Sequence, residues 1–383
     1  MSMFVDVHIL QTVPPSNLNR DDTGSPKTAV YGGVRRARVS SQAWKRATRL
    51  GFDGVLAKDQ LGVRTLRVVR LVADEIVRQD AGTADAADDL AAEVLSATGL
   101  KLETPRVKKV KDGDPVSDTD SAGRSQFLVF LGRQQVEKLA RLALRSAGSG
   151  EKPTKRQAQE AMGSGNAVDV SMFGRMVADD KALNVDAAVQ VAHALSVHAV
   201  EPEFDYFTAV DDRNTDDAGA GMIGTIEFNS STLYRYATVN VDQLQHNLGS
   251  VDATIEAVRA FVRAFSLSMP TGKQNTFANR TLPDAVLVMV RRGQPVNLVG
   301  AFETPVTATV DMSRLGAACH ALVRYAADLD RAFGSPPEST FVTAVGDATR
   351  ALTDIGTSGT FDELVTHVGD LVAAALAPTR EMA

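Results

Sequence analysis

The stretch YGGVRRARVSSQAWKRATR, Tyr31 to Arg49, carries six Arg and Lys residues in nineteen positions and no acid. On a helix begun by Ser40 or Ser41 and running to about Leu50, Gln42, Lys45, Arg46 and Arg49 fall at i, i+3, i+4 and i+7. That spacing places them on one face. Ala43, Trp44, Ala47 and Leu50 form the adjacent apolar stripe that would anchor the helix. Upstream, Gly32-Gly33 permits a tight turn, and Arg35, Arg36 and Arg38 lie on an extended segment. Two converging basic elements suit a phosphate backbone followed without reading bases. The alternative is a solvated face salt-bridged to acids elsewhere, and charge alone leaves both open.

A second cluster is acidic. Between Glu201 and Asp217 there are seven acids and one Arg, interleaved with Phe204, Tyr206 and Phe207 and followed by the Gly-rich AGAGMIG. It reads as a charged surface hairpin, or as a protrusion that docks on a basic surface of another copy. A head-to-tail contact of that kind builds filaments rather than closed dimers. A third feature is Asp21-Asp22, after Asn19-Arg20. Adjacent carboxylates could hold Mg²⁺ and cleave a phosphodiester, but turn chemistry favours an Asx-type turn or a helix cap there. No further acid or His spacing supports a two-metal site. His193 and His198, read on a helix, would be off a shared face, and Cys319-His320 reads as core. The chain has no GxxxxGK[ST] or GxSxG motif, and the one GxGxxG, Gly219 to Gly224, has no helix signal after it, so neither metal nor cofactor is expected.

These features must be positioned by a chain of 383 residues that is 44% hydrophobic, 23% charged and of net charge −6. That is ample for two or three structural units with buried cores. Acidity argues against a protein that coats nucleic acid over its whole surface, but not against a local basic groove. The single cysteine fits a reducing compartment, the N-terminus does not read as a signal peptide, and no window has eighteen consecutive apolar residues. A cytoplasmic protein with no membrane partner is expected.

Residues 4–12 alternate, with Val5, Val7 and Ile9 on one face and Asp6, His8 and Gln11 mostly on the other. This predicts a strand ended by Pro14-Pro15, followed by a loop over 16–33. Helical patterns occupy about 61–99, 132–147, a segment from Thr154, and 186–199; a polar loop is expected at 111–125. TLYRYATVNV reads as a strong strand, 251–267 as a helix and 284–291 as a strand. Helices near 312–332, 340–354 and 361–376 complete the chain. β elements at both ends flank a helical insert at roughly 55–185, an α+β architecture.

The runs SNLNRDD, YGGVRRARVSSQAWKRA, DAAVQVAHALSVHAVEPEFDYFTAVDD, GMIGTIEF and LYRYATVNVDQLQHNLG resemble, in order, the CasC family, the backbone subunits of the type I-E CRISPR surveillance complex Cascade. The resemblance runs from residue 2 to about 310 and is weaker in the helical insert. It implies a right-hand shape: an RNA-recognition-motif-like palm, a helical finger insertion and a β-hairpin thumb. The implied division is palm at 1–59, fingers at 60–182, a palm helix at 183–200, thumb at 201–225, and the rest of the palm with C-terminal helices at 226–383. The palm lacks the aromatic signature of ordinary RNA-recognition motifs, so base stacking on the sheet is not the expected mode.

The family role is non-catalytic. About six copies polymerise along one CRISPR RNA and present its spacer for pairing with target DNA, so pairing reads sequence while protein grips backbone. Large, small, cap and repeat-endonuclease subunits are the other implied partners. By matching position, Asn19, Arg20, Lys27, Ser40, Gln42, Lys45, Arg46 and Arg49 are guide-backbone residues of the palm; Arg35, Arg36 and Arg38 join them on charge. Thr208, Met222 and Ile223 match the thumb residues that displace a base in the next copy, and Met176 matches the finger residue beyond that kink. An apolar wedge suits this because it replaces stacking without reading identity. Val34 departs from the pattern, standing where some relatives carry a basic residue. Arg106, Lys108, Lys109 and Lys111 fall in the variable finger region; contact with target duplex DNA is one reading, and a solvated loop is the favoured one. The rival is an enzyme like the type III backbone subunits, which cleave target RNA in a metal-dependent way with a loop aspartate, here Asp21 or Asp22.

Overall fold

The structure, a computed structural model, describes residues 1–103, 123–209 and 222–377. The chain divides into two compact units. One comprises Met1–Val55, Val189–Asp242 and Val251–Ala383; the other comprises Leu56–Ala188 and Gln243–Ser250.

The first unit is built on a mixed sheet whose centre is β1 (Met3–Ser16). β1 pairs antiparallel with Met222–Asn240 on one side and with Ala285–Arg292 on the other. Beyond Met222–Asn240 come Ala194–Ser196, β3 (Val34–Val39) and β2 (Thr28–Tyr31); beyond Ala285–Arg292 come Ser339–Ala344 and, in parallel, Thr357–Ser358. Both faces of β1 are covered. On one, Trp44, Phe261 and Phe265 pack beneath the helices; on the other, Leu10, Tyr234, Leu287 and Met289 pack on Cys319 and Leu322 of the helix Arg314–Phe333. Each fully buried large apolar side chain contributes on the order of 1.5–3 kcal/mol.

Asp6, His8 and Gln11, expected mostly on the face opposite Val5, Val7 and Ile9, are all buried because both faces of β1 are covered, and Gln11 falls on the other face. Most of their polar atoms are paired internally, as burial favours, and His8 Nε2 is the one left without a partner among the described residues. The Tyr236 hydroxyl donates to Asp6 Oδ1 and the Val296 N–H to Asp6 Oδ2, both at 2.9 Å; Arg291 Nε lies 3.6 Å from Asp6 Oδ2. His8 Nδ1 is 2.9 Å from the Tyr234 hydroxyl. Burial, with the Arg291 charge, drives His8 down to about 3, whereas burial pushes Asp6 up. Gln11 lies on the Val5–Val7–Ile9 face, as a period of two demands, and accepts from Arg235 Nη1 at 2.6 Å.

Three other expectations change. Pro14-Pro15 does not end β1, which continues to Ser16 through a register shift after Val13. The helix expected at 186–199 is replaced by the strands Val189–Val191 and Ala194–Ser196, both paired with Met222–Asn240. The exposed backbone of that long strand offers these residues a ladder, and tertiary pairing overrides a weak helical preference. Residues 340–354 likewise give the strand Ser339–Ala344 and a 3₁₀ segment, Asp347–Ile355, because Ala285–Arg292 has an edge to pair.

The second unit packs the helices Val68–Gln79, Ala87–Ala97, Arg133–Ser149 and Lys155–Gly163 around Val72, Ile76, Leu95, Leu139 and Met162. Thr154 caps the last of these in a capping box with Gln157. Residues 106–111 and the tip of the acidic segment, 210–221, lie outside the described residues. Among the described residues, no helix is long and apolar enough to cross a membrane.

Candidate nucleic-acid interface

The basic helix α1 spans Ser41–Gly51. Ser40 caps it, its hydroxyl accepting from the Ala43 N–H at 3.2 Å. The Ser40 N–H in turn donates to Asn19 Oδ1 at 2.9 Å, and the Lys27 N–H donates to the Asn19 carbonyl at 2.9 Å. One asparagine therefore ties the loop that carries Arg20 to the strand entry at Lys27 and to the start of α1. Ser40 is buried and acts here as the cap.

The anchor of α1 is Trp44, fully buried, with its ring edge-on to Phe265 and the guanidinium of Arg235 over its face. Thr48 takes the buried place expected of Leu50; its hydroxyl bonds back to the Trp44 carbonyl at 2.9 Å, and Leu50 is exposed. On the opposite side Gln42 and Arg46 are exposed, and Lys45 and Arg49 half-buried. Partial burial lowers the Lys45 ammonium below its ordinary value. Among the described residues no ion pair involves Arg20, Lys27, Arg35, Arg38, Lys45 or Arg46.

Strands β2 and β3 form a two-residue hairpin with Tyr31 opposite Val34. Gly32 and Gly33 sit at φ +58° and +76°, the left-handed pair that such a turn needs. Arg35 is exposed and Arg38 half-buried. Arg38 donates from Nε to the Thr28 carbonyl at 3.2 Å. Arg36 departs from its expected role. It is fully buried, donating to the Tyr31 carbonyl from Nε, the Ser196 carbonyl from Nη1 and the Phe302 and Glu303 carbonyls from Nη2. Those bonds bind the hairpin to the sheet and leave its guanidinium no open side for a phosphate.

His193, passed over in the sequence, belongs to this surface. Its Nδ1 accepts from the Ser41 N–H at 3.1 Å and lies 3.4 Å from Arg38 Nη1. Desolvation, then the Arg38 and Lys27 charges, lower its basicity. The missed signal was the alternation of Ala194, Leu195, Ser196 and Val197, which marks a strand edge rather than a helix.

The loop aspartates diverge. Asp21 Oδ1 accepts from the Thr23 N–H at 2.9 Å, the Thr23 hydroxyl at 2.7 Å and the Ser25 N–H at 3.0 Å. The Thr23 hydroxyl is the main cause of its lowered pKa. This is the Asx-type turn, a structural employment. Asp22 is exposed. Among the described residues no group of three His, Cys, Asp or Glu side chains could hold a metal ion.

The acidic hairpin pairs Glu203–Ala209 with the first part of Met222–Asn240. Its register sets Thr208 opposite Ile223 and Ala209 opposite Met222. Phe204 and Tyr206 share one strand face and are 65% and 62% exposed. In the second unit Met176 is 83% exposed. Arg175 beside it is buried and pulled down to about 10 by desolvation, donating to the Leu183, Phe130 and Met162 carbonyls and to Gln135 Oε1. That clamp fixes the backbone from which Met176 projects.

A mixed sheet with a helical second unit defines the class: subunits of CRISPR RNA-guided surveillance complexes share this fold. One chain of a solved "CRISPR RNA-guided surveillance complex, pre-nicking" is 36% identical over 97% of this chain and 100% of that one, with a TM-score of 0.79. A chain of another "CRISPR RNA-guided surveillance complex" is 31% identical over 97% of this chain and 99% of that one, with a TM-score of 0.70. The chain belongs to the family of CT1975-like proteins, whose family model matches residues 5–367. No curated protein matches it.

Proposed function

We propose that this protein is the CRISPR-RNA-binding backbone subunit of a Cascade-type surveillance complex, as its likeness to type I-E CasC implies. In this reading the sheet unit is the palm and the helical unit the fingers. Copies polymerise along one guide in the cytoplasm, beside other Cascade subunits, and target DNA is engaged through the guide. The role is non-catalytic. The observation that carries the reading is the row Gln42, Lys45, Arg46 and Arg49 on a helix whose opposite side is pinned by Trp44, set beside Arg35 and Arg38. Cations on a fixed support neutralise phosphates without sequence preference.

The test is Lys45→Ala with Arg49→Ala, co-expressed with the neighbouring subunits and a repeat array. RNA retention should weaken for every spacer, and the salt dependence should flatten by about 0.7 in slope for each phosphate no longer neutralised. Wild-type assembly with RNA would reject the assignment. The enzymatic alternative, with Asp21 or Asp22 as a metal-dependent RNase residue, is tested by Mg²⁺-dependent cleavage of complementary RNA that an Asp→Ala change abolishes. The three bonds that Asp21 Oδ1 accepts within its own loop favour the binding role.

A further inference from the structure

Among the described residues, the non-glycine residues with left-handed backbone are Lys273 (φ +49°) and Ala278 (φ +45°). They bracket a single helical turn, Gln274–Phe277. Such conformations are costly for residues with a side chain and persist where the surroundings over-determine them, most often at sites of function. Here the surroundings do over-determine them. At the start, Gly272 packs so closely on the Asn17 and Leu18 carbonyls that a Cβ would clash with both. In the middle, the Phe277 ring meets Phe228 with centroids 5.7 Å apart. At the end, the Thr281 hydroxyl donates to the Thr12 carbonyl at 2.9 Å, and Gln11 Nε2 donates to the Thr281 carbonyl at 2.9 Å. The next residue after Ala278, Asn279, is buried, and its Nδ2 finds no hydrogen-bond partner among the described residues.

What this rigid segment shows to solvent is polar and cationic. Gln274, Asn275, Thr276 and Arg280 are exposed and Lys273 is half-buried. Neither Lys273 nor Arg280 is ion-paired among the described residues. The segment is continuous with the basic surface. Gly272 lines an open cavity of about 570 Å³ together with Leu18–Gly24, the loop that carries Arg20. Asn19 of that loop holds the cap of α1.

We propose that residues 271–280 are a second backbone-binding strip of the same interface. Lys273 and Arg280 neutralise phosphates of single-stranded RNA, and the Gln274, Asn275 and Thr276 side chains bond its sugar-phosphate oxygens. The strained turn holds these groups in place before RNA arrives, which lowers the ordering cost of binding. This inference rests on the RNA-binding reading of α1.

The test uses the full chain and oligouridylate, a single-stranded RNA without secondary structure, titrated over a range of KCl concentrations. Lys273→Ala with Arg280→Ala should reduce affinity and lower the salt slope by about 0.7 for each phosphate left without its cation. Lys273→Gly keeps the left-handed backbone without strain, so the fold should be at least as stable while the affinity still falls. Wild-type affinity and slope in both variants, with losses in Lys45→Ala/Arg49→Ala, would overturn the strip and leave the proposed function standing. No loss in either set would overturn both. If Lys273→Ala/Arg280→Ala proves unstable, Lys273→Gly decides alone, and unchanged binding there sinks the proposal.

Discussion

The guanidinium carbon of Arg235 lies 3.7 Å from the centroid of the Trp44 indole. Arg235 is fully buried, and it donates to Gln11 Oε1 and to the Ser266 and Phe265 carbonyls. Desolvation lowers its pKa to about 9. A buried cation therefore ties β1, the helix Val251–Leu267 and the basic helix together. Trp44→Ala should cost about 3–5 kcal/mol through the cavity left behind. Trp44→Phe, which keeps an aromatic face, should cost less. Urea denaturation measures both. RNA binding by folded Trp44→Phe should stay near wild type, since Trp44 supports the cationic row without joining it.

The turn at Gly32-Gly33 supplies a paired prediction. Both glycines are left-handed, but a Cβ on Gly32 would strike the Glu303 carbonyl, whereas one on Gly33 meets nothing. Gly33→Ala should cost only the conformational term, about 1–2 kcal/mol. Gly32→Ala should cost more, and should also loosen the Arg36 bonds to the Phe302 and Glu303 carbonyls. A lower Tm for Gly32→Ala than for Gly33→Ala is the expected result; equal values would refute the close approach.

His8 makes stability depend on pH. Its folded pKa, about 3, lies below the ordinary 6.5. The unfolded chain thus binds a proton that the folded chain refuses, and stability falls as pH drops from about 6.5 toward 3. The loss attributable to this group is on the order of 4–5 kcal/mol across that window. Asp6 works in the opposite sense, because its raised folded pKa lets the native state take a proton first as pH falls. His8→Gln should flatten the stability profile between pH 6.5 and pH 4, read by denaturation at each pH. An unchanged profile would mean that His8 does not titrate in this way.

The hairpin register predicts a separation of folding from assembly. Ile223→Asp sits at a pair near the described end of the hairpin, opposite Thr208. The monomer should keep its Tm, while nuclease protection of the guide in the assembled complex should lose its regular period. Unaltered periodic protection would count against a wedge at this position.

What the sequence disclosed best was local. The helix at 41–50 with Trp44 as its anchor and the helix at 251–267 follow from apolar spacing and caps alone. The mixed α+β character follows from the alternation of patterns along the chain. What it hid was decided by distant partners. Arg36 looks like its neighbours Arg35 and Arg38 until the carbonyls of Ser196, Phe302 and Glu303 close around it. His193 joins the basic surface only because residues 194–196 pair as a strand. That Asp6 and His8 are buried follows from a second layer over β1, which nothing local announces. The left-handed backbone at Lys273 and Ala278 carries no glycine to advertise it.

The central strand has a consequence for the order in which the chain can fold. Phe4 pairs with Asn240 and Val5 with Val290, so β1 leaves the ribosome long before either neighbour exists. At about 5–20 residues per second, that wait is roughly 10–50 s. Most of the second unit, Leu56–Ala188, is contiguous and emerges first in full. The apolar β1 meanwhile stays open to wrong pairing, a hazard of non-local sheets. Synthesis speed and chaperone access, more than final stability, should therefore set the yield of folded protein.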